Sequence, residues 1–386
     1  MKILFLNYEY PPLGGGAANA TRHLLREYAA MEDVRVDLIT SAVDGGYGIE
    51  KIGERITIHK MPIGDKRGNL NFQSYADLLL YSFRAWRYAI SLLKKERYDL
   101  IHAFFTVPCG FLAFVLGKRF KVPYIVSLRG ADVPGYSQRF LWLYGILTPL
   151  IVRIWKKARV VVANSRGLQT LANRSDPTQQ IEIIFNGVDT AHFVPGTRTA
   201  EDREKTFHIL CASRLSRRKG FRYAIGAFAL LHEKYPHIRM TIAGGEGNAL
   251  HELRKQVAHA GLMKKIIFTG PYTHDTAPKI YQNADIFVFP SLNEGMSNNL
   301  LEAMASGLPI LMTPTGGAEE LVRDGENGFL VRMKDADDLA QKLKEIIADP
   351  SLAQRMGEES RRIAQSLDWR SAAQRYHDLY EKTIVS

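Results

Sequence analysis

The chain has 386 residues, of which 46% are hydrophobic and 24% are charged, so it has material for two or three cores and is not globally disordered. Its two cysteines, Cys109 and Cys211, are far apart in sequence and match no metal-ligand spacing, which argues against a disulfide framework and a zinc site. The net charge of +11 is uneven, because residues 1–190 carry 25 basic and 16 acidic side chains. That half could meet nucleic acid or an anionic membrane, or its charge could serve solubility alone.

The first residues, Met1–Asn7, form an apolar stretch that is too short for a signal peptide. No segment is long enough to span a bilayer, since the longest apolar run, 140–152, is interrupted by Gly145 and Pro149. We therefore expect a cytoplasmic protein that either stays free or attaches peripherally to the inner face of the membrane.

Short strands alternate with helical stretches through the first half of the chain. Several strands are apolar throughout, which is typical of a parallel sheet covered on both faces. Helical periodicity fills the intervals, for example from Ala17 to Met31. The predicted strands are Ile3–Asn7, Val36–Thr40, Leu100–Ala103, Tyr124–Leu128, Val160–Ala163 and Ile181–Phe185.

A glycine loop, Gly14, Gly15 and Gly16, lies between the first strand and the first helix. Glycine allows the backbone to approach a ligand closely, so this loop is a candidate binding element. The alternative is an ordinary strand-to-helix turn.

Two stretches mix aromatic and basic residues, from Ser74 to Arg97 and from Phe140 to Lys157, the second with Trp142 and Trp155. Such mixtures suit helices that lie on an anionic membrane surface. They equally suit core helices with a basic outer edge.

The polar stretch 191–205 is the predicted linker between a domain at 1–190 and a domain at 206–367, with residues 368–386 forming a terminal helix that could return to the first domain. From Asp335 onward the pattern predicts only helices, and Asp335 itself reads as a helix cap rather than a metal ligand. The second set of predicted strands comprises Ile209–Ala212, Arg239–Ala243, Ile266–Thr269, Ile286–Pro290, Pro309–Met312 and Gly328–Val331.

Arg214 and Lys219 bracket the turn after the first strand of the second domain. Fixed cations at this position could stabilise negative charge that develops on a ligand and replace a metal ion, whereas the neighbouring Arg217 and Arg218 are expected to face solvent. The later segment 244–248 has glycines but lacks the third glycine of a dinucleotide fingerprint, so a nicotinamide site is disfavoured.

The strongest motif spans 289–307, where a buried strand leads into a loop with Glu294 and then into a helix that begins between Ser297 and Asn299 and carries Glu302. The first amides of a helix lack internal partners and favour an anionic or hydroxyl ligand. Both glutamates could accept hydrogen bonds from ligand hydroxyls. We expect alanine at either position to reduce activity severely and leave the fold intact.

The segment from Glu294 to Glu302 resembles the E-x7-E signature of family 4 of the retaining glycosyltransferases, and the resemblance covers essentially the whole chain. Further matching segments, in order, are Tyr10–Gly16, Asn164–Ser165, Asn186–Asp189, Arg214–Gly220, Thr315–Leu321 and Asp324–Gly328.

The resemblance implies an α/β GT-B fold, with two Rossmann-like parallel-sheet domains facing across a cleft, and transfer from a UDP- or GDP-sugar to a glycan or lipid-linked saccharide. It implies that no cofactor or metal is needed and that substitution occurs on the front face of the sugar. By resemblance, the glycine loop lies at the donor site, Glu302 binds the ribose, Glu294 contacts the sugar, and Arg214 and Lys219 hold the diphosphate. Backbone amides of Asn298, Asn299 and Leu300 face the donor.

One departure from the family pattern occurs at Arg129, which stands where the family segment His-Gly-x-Asp has its histidine. Asp132 in the same segment is placed near the sugar or acceptor. We expect Arg129 to act in catalysis by binding the donor diphosphate or an anionic group on either substrate.

Two other classes of function remain as alternatives. A nucleotide-sugar epimerase would share the fold and need no acceptor. A nucleic-acid binder would use the basic half, although no recognition motif supports nucleic acid as a partner. The sequence does not identify the sugar, the base, the acceptor or the oligomeric state.

Overall fold

A computed structural model describes residues 1–68, 70, 73–136, 141–245 and 247–385, excluding the side chains of residues 141–143 and 200. It contains two compact units, one formed by Met1–Asn186 with Trp369–Ser386 and the other by Gly187–Asp368. Phe140 and the Trp142 side chain, which the sequence assigns to a possible interfacial helix, lie outside the described residues.

The first unit is built on an eight-stranded sheet in the order β3-β4-β2-β1-β5-β6-β7-β8, and its pairs are parallel except β3 with β4. The strands are β1 Lys2–Leu6, β2 Arg35–Ser41, β3 Gly48–Ile52, β4 Ile56–Met61, β5 Leu100–Phe104, β6 Tyr124–Ser127, β7 Val160–Ala163 and β8 Glu182–Ile183. Its first five helices are α1 Gly16–Ala29, α2 Tyr75–Lys95, α3 Phe111–Phe120, α4 Leu141–Lys157 and α5 Arg166–Asn173.

All six strands predicted for the first half are present, whereas β3 and β4 were missed. β3 is mostly exposed and short, so it lacks the apolar run that identified the others. β4 is buried at four of its six positions but alternates with polar residues, which hides it beside the strongly apolar central strands.

The second unit is built on a fully parallel six-stranded sheet in the order β11-β10-β9-β12-β13-β14. The strands are β9 Phe207–Ala212, β10 Ile238–Ala243, β11 Ile266–Gly270, β12 Ile286–Phe289, β13 Ile310–Met312 and β14 Gly328–Leu330. The helices are α6 Ala200–Lys205, α7 Phe221–Leu231, α8 Leu250–His259, α9 Ala277–Gln282, α10 Asn298–Ala305, α11 Ala318–Leu321, α12 Ala336–Ala348 and α13 Pro350–Gln365. Asp335 caps α12, because its side chain accepts a hydrogen bond from the Asp338 amide at 2.9 Å.

The segment 191–205, which the sequence suggests as a linker, is part of the second unit. Arg198 forms a two-pronged contact with the fully buried Asp285, through Nε at 2.9 Å and Nη2 at 3.0 Å. Arg203 Nε also reaches Asp285 at 3.2 Å. These contacts hold the segment on the sheet of the second unit, and its polar composition alone did not reveal them.

The last helix, α14 Trp369–Val385, packs on the first unit. Tyr380 and Tyr376 are buried against that sheet, where the Tyr380 hydroxyl lies 2.8 Å from His102 Nδ1 and the Tyr376 hydroxyl lies 3.0 Å from Ser127 Oγ. Burial, with a further contribution from the Arg129 charge, lowers the pKa of His102, so this imidazole is neutral. The terminal helix therefore completes the core of the first unit.

The two stretches suggested for membrane contact are mostly core helices. On α2, most apolar side chains pack inward, while Leu79 is 72% exposed and Phe83 is 54% exposed. On α4, Trp155 is fully buried and donates to Thr106 Oγ1 at 2.8 Å, so it does not lie at a membrane interface. Within the described ranges, no helix combines the length and the apolar character that crossing a bilayer requires.

Candidate active site

The predicted donor residues of the second unit gather where the strand order of its sheet reverses. The chain runs from β9 outward to β10 and β11, and then returns to the other side of β9 with β12. Loops that follow two such neighbouring parallel strands diverge and leave a crevice at the carboxyl edge of the sheet, where ligands of α/β folds bind. Arg214 and Lys219 follow β9, and Glu294 follows β12.

The two loops are joined by close backbone packing. Gly220 has φ of +68°, and a Cβ built on it would lie 1.9 Å from the carbonyl oxygen of Pro290. The Leu292 amide donates to the Arg218 carbonyl at 2.8 Å. Only glycine fits at position 220, because both the backbone conformation and the available space exclude a side chain.

Lys219 and Glu294 form a buried ion pair in which Lys219 Nζ lies 2.7 Å from Glu294 Oε1. Ser291 Oγ donates to the same carboxylate oxygen at 2.5 Å. Burial alone would raise the pKa of Glu294, but the charges of Lys219 and Arg218 outweigh it and the pKa falls. The pair is therefore ionised, and it fixes Glu294 with its other oxygen, Oε2, uninvolved in either of these contacts.

The Lys219–Glu294 pair corrects the expectation that alanine at Glu294 leaves the fold intact. Removing one partner of a buried pair leaves the other charge uncompensated, at a cost of about 3–5 kcal/mol. Glu294→Ala would thus reduce stability as well as activity, because Lys219 is only 7% exposed.

The basic turn supplies more positive charge than Glu294 balances. Arg214 is exposed, and both it and the partly buried Arg218 act electrostatically on Lys219. Arg218 thus belongs to the basic cluster and does not simply face solvent as the sequence suggested. Arg217 does face solvent, where it pairs with Glu252. The excess charge suits a diphosphate ligand.

Glu302 lies one turn inside α10 and belongs to a network of aromatic hydroxyls. Tyr281 on α9 donates to Glu302 Oε2 at 2.8 Å, and Asn299 Nδ2 donates to the hydroxyls of Tyr272 at 2.6 Å and Tyr281 at 3.3 Å. Burial raises the pKa of Glu302 to about 7, and the bond from Tyr281 opposes part of this rise. Glu302 is therefore held in place but titrates close to neutral pH.

The start of α10 presents backbone amides at the same edge of the sheet. The first ladder bond of the helix is donated by Leu301 to the Ser297 carbonyl at 3.2 Å, so residues 298–300 form the open first turn. The Leu300 side chain is buried, which leaves its backbone as the part available to a ligand. Asn298 and Asn299 are partly buried at this position.

A third loop, which follows β13, packs against the loop that carries Glu294. A Cβ on Gly316 would lie 2.3 Å from the Glu294 carbonyl oxygen, and one on Gly317, where φ is +80°, would lie 2.9 Å from the Gly295 carbonyl oxygen. The loop that carries Glu294 is therefore confined on two sides, by this loop and by the basic turn.

In the first unit, the glycine loop also lies where the strand order reverses, after β1 and next to β5. Gly14 has φ of +93°, and a Cβ there would clash with the side chain of Glu9. Gly15 donates to Glu9 Oε2 at 3.3 Å, and Gly16 begins α1. At Gly14 both the positive φ and the contact with Glu9 exclude a side chain, whereas a Cβ on Gly15 would meet open space.

Asp132 holds the loop after β6, because both of its carboxylate oxygens accept hydrogen bonds from neighbouring residues. Oδ1 accepts from the amides of Arg129 at 2.9 Å and Gly130 at 3.0 Å, and Oδ2 accepts from the amide and hydroxyl of Thr106 at 2.8 and 3.1 Å. Burial raises the pKa of Asp132, and these donors counter the rise. These contacts favour a role for Asp132 in positioning Arg129.

Two groups of side chains in the described part of the chain could share a metal ion, one of His192, His274 and Asp275 and one of Asp33, His377 and Glu381. Neither includes a predicted site residue. Sequence reasoning missed Tyr281 and Tyr272, since nothing local marks a tyrosine as the partner of an acid on a different helix. Ser291, adjacent to the strand end at Pro290, could have been noticed.

Comparisons with known proteins show the family of the chain. Residues 14–192 match the model described as Glycosyltransferase Family 4, and residues 197–363 match Glycosyl transferases group 1. The chain is 30% identical over 99% of its length to a D-inositol 3-phosphate glycosyltransferase of Pseudarthrobacter chlorophenolicus, of which it covers 96%.

Solved structures with the same fold include a sucrose-phosphate synthase from Thermosynechococcus elongatus, with a TM-score of 0.85 at 22% identity over 99% of this chain and 98% of that one. Another is the Anabaena protein HepE in complex with UDP-glucose, with a TM-score of 0.74 at 22% identity over 99% of this chain and 100% of that one. These likenesses show the fold of both units.

Proposed function

The chain belongs to glycosyltransferase family 4 and has the GT-B fold, and from this premise we propose that it transfers a sugar from a UDP- or GDP-sugar to a hydroxyl acceptor with retention at the anomeric carbon. One observation carries the proposal: the buried Lys219–Glu294 pair joins the basic turn, residues 214–220, to the loop after β12, at the reversal of strand order in the second unit. A nucleoside diphosphate matches that excess of positive charge.

The diphosphate, the ribose and the sugar of the nucleotide-sugar donor are each assigned binding residues in the second unit. Arg214, Arg218 and Lys219 bring three cations to the diphosphate, and the first turn of α10 adds amide donors. The carboxylate of Glu302 accepts hydrogen bonds from the ribose hydroxyls. Glu294, fixed through Oε1, offers Oε2 to the hydroxyls of the sugar. Because the cations are fixed, the leaving group is stabilised without a metal.

Retention then follows by substitution on the front face. The acceptor oxygen forms its bond to the anomeric carbon from the side on which the diphosphate leaves. The bond between that carbon and the diphosphate oxygen breaks, its electron pair stays on the phosphate, and this oxygen takes the acceptor proton. A double displacement would need a carboxylate nucleophile at the anomeric carbon. Glu294 is poorly suited to that task, since an ion pair and a hydrogen bond already engage it.

The proposed acceptor is a glycan or a lipid-linked saccharide in polysaccharide biosynthesis, reached by peripheral attachment to an anionic membrane. The exposed side of α2 supports this, because Leu79 and Phe83 project beside the exposed cations Arg87 and Lys94. The wild-type chain should co-sediment with liposomes that contain anionic lipid at low salt, and it should dissociate from them at high salt. Equal binding by the Leu79→Ser/Phe83→Ser double variant would count against this face.

The donor assignment is tested by calorimetric titration with UDP and GDP, followed by assays of UDP- and GDP-sugars with and without acceptor. We expect Lys219→Met to lose nucleotide affinity by ~10- to 100-fold. The matched control Lys234→Met replaces an exposed lysine of the same unit and should bind as the wild type does. Absence of nucleotide binding by the wild-type chain would refute the proposal, and conversion of the donor to an isomer without acceptor would indicate an epimerase.

A further inference from the structure

Arg129 is held in a fixed orientation at the carboxyl edge of the first unit's sheet. Its Nη1 donates to Asn186 Oδ1 at 3.1 Å, and its guanidinium lies over the ring of Phe104, with Cζ 5.0 Å from the ring centroid. Its backbone amide is bound by Asp132. The side chain is thus restrained at the amide, at the ring and at one terminal nitrogen.

The remaining edge of this guanidinium is unused. Among the residues that the structure describes, the buried Nε and Nη2 atoms of Arg129 meet no hydrogen-bond acceptor. These two nitrogens share one edge and point in parallel, which is the geometry that grips a carboxylate or phosphate with two bonds. The chain uses this edge elsewhere: Arg198 binds Asp285 through Nε and Nη2, and Arg362 binds Glu359 in the same way.

The charge of Arg129 also lacks a local counter-ion. No carboxylate in the described ranges lies within ion-pair distance of it, and both oxygens of Asp132 are occupied by backbone and hydroxyl donors. The nearby His102 is buried and neutral, so it cannot serve as a counter-ion for Arg129. A partly buried cation without a counter-ion is costly, and this cost falls when an anion binds.

We propose that Arg129 is the receptor for an oxyanion, a phosphate or a carboxylate, that a substrate carries and that the Nε–Nη2 edge grips with two hydrogen bonds. The proposal rests on the proposed function for the source of that anion. Two sources share this chemistry: the diphosphate of the donor, and an acidic group on the acceptor. Asn186, Phe104 and Asp132 act as positioning residues, since they orient the guanidinium and do not themselves meet the anion.

The test uses two substitutions and one control on the full chain. Arg129→Gln removes the charge, and Arg129→Lys keeps the charge but removes the two-pronged edge. The control, Arg67→Gln, alters an exposed arginine of the first unit whose Nε–Nη2 edge is already taken by Asp65. Each variant is titrated calorimetrically with UDP, with GDP and with inorganic phosphate, the last both before and after saturation with the tighter nucleotide. Thermal unfolding of each variant then tests whether it remains folded.

The source of the anion decides which affinity changes. If the donor diphosphate is gripped, Arg129→Gln weakens nucleotide binding by ~10- to 100-fold, and nucleotide displaces phosphate from the wild-type chain. If an acidic acceptor is gripped, nucleotide affinity is unchanged, while phosphate binds the nucleotide-saturated wild type and this binding is lost in Arg129→Gln. Arg129→Lys should lose part of the affinity in either case, and Arg67→Gln should lose none.

The proposal is overturned if Arg129→Gln binds nucleotide as the wild type does and phosphate binding is either unchanged or absent in both. The proposed function fails by a different result, namely a wild-type chain that binds neither UDP nor GDP. In that event, the titration of phosphate alone still measures whether Arg129 holds an oxyanion.

Discussion

Substituting Glu302 by glutamine should stabilise the chain at high pH while it damages donor binding. The carboxyl group has a pKa of about 7 in the folded chain against an ordinary value of 4.5. Between these values the folded chain binds more protons than the unfolded chain, so this group makes the protein less stable as pH rises from about 4.5 to 7. Above about pH 7 the carboxyl group is ionised, and stability falls no further from this group.

The size of the effect follows from the pKa rise. At ~1.36 kcal/mol for each pH unit the ionised carboxylate costs about 3 kcal/mol at pH 8, which residual solvent contact at the partly exposed side chain reduces to about 2 kcal/mol. Glutamine carries no charge, and its amide oxygen can still accept the bond from Tyr281. The variant should therefore melt about 4–8 °C higher at pH 8. At pH 5 its advantage should fall below about 1 kcal/mol.

Differential scanning calorimetry of wild type and Glu302→Gln at pH 5 and pH 8 measures this. Glu233→Gln, at an exposed glutamate of the same unit, controls for the loss of one negative charge. An equal change in melting temperature at both pH values, or a less stable variant at pH 8, would refute the electrostatic reasoning. The same variant should raise the donor KM by ~10- to 100-fold, since a neutral amide replaces the charged group that we propose as the acceptor of the ribose hydroxyls.

Four further outcomes are expected. Lys219→Met should lower kcat by ~100- to 1000-fold, measured by donor turnover, because a fixed cation at the leaving group is lost. Gly220→Ala should unfold at a lower temperature, because its Cβ would meet the Pro290 carbonyl; an unchanged melting curve would contradict the packing described. Tyr281→Phe should move the pH dependence of the donor KM to higher pH with kcat retained, because it removes a bond that favours ionised Glu302. Prolonged treatment with EDTA should leave turnover intact, and restoration of a lost rate by Mg²⁺ would disprove the metal-independent scheme.

The parallel sheets could be predicted from the sequence because strands buried on both faces are apolar throughout. β12 shows this, since Ile286–Phe289 is fully buried and is followed at once by the site loop. The exposed edge strand β3 carries no such signal. The contacts that hold the segment from 191 to 205 were hidden for a related reason. Arg198 and Asp285 are 87 residues apart, and a local sequence pattern cannot pair them.

Candidate site residues were recognisable where chemistry and position agree within one segment, as at Glu294 and Lys219. Their mutual contact was not, because it depends on how the loops after β9 and β12 meet at Gly220 and Pro290. The titration of Glu302 near neutral pH was also hidden, since burial sets it and Tyr281 comes from a separate helix.

The return of α14 to the first unit has a consequence for biosynthesis. The sequence of the second unit, Gly187–Asp368, is inserted within that of the first, so the ribosome delivers it complete before Trp369–Ser386 emerges. Domains commonly finish folding in the order of their synthesis, from the N-terminus onward. Here the first unit can complete its core only after the last helix has been synthesised, because Tyr376 and Tyr380 of that helix cover Ser127 and His102 in its interior. A chain that ended before residue 369 would leave Ser127 and His102 of the first unit uncovered and open to water.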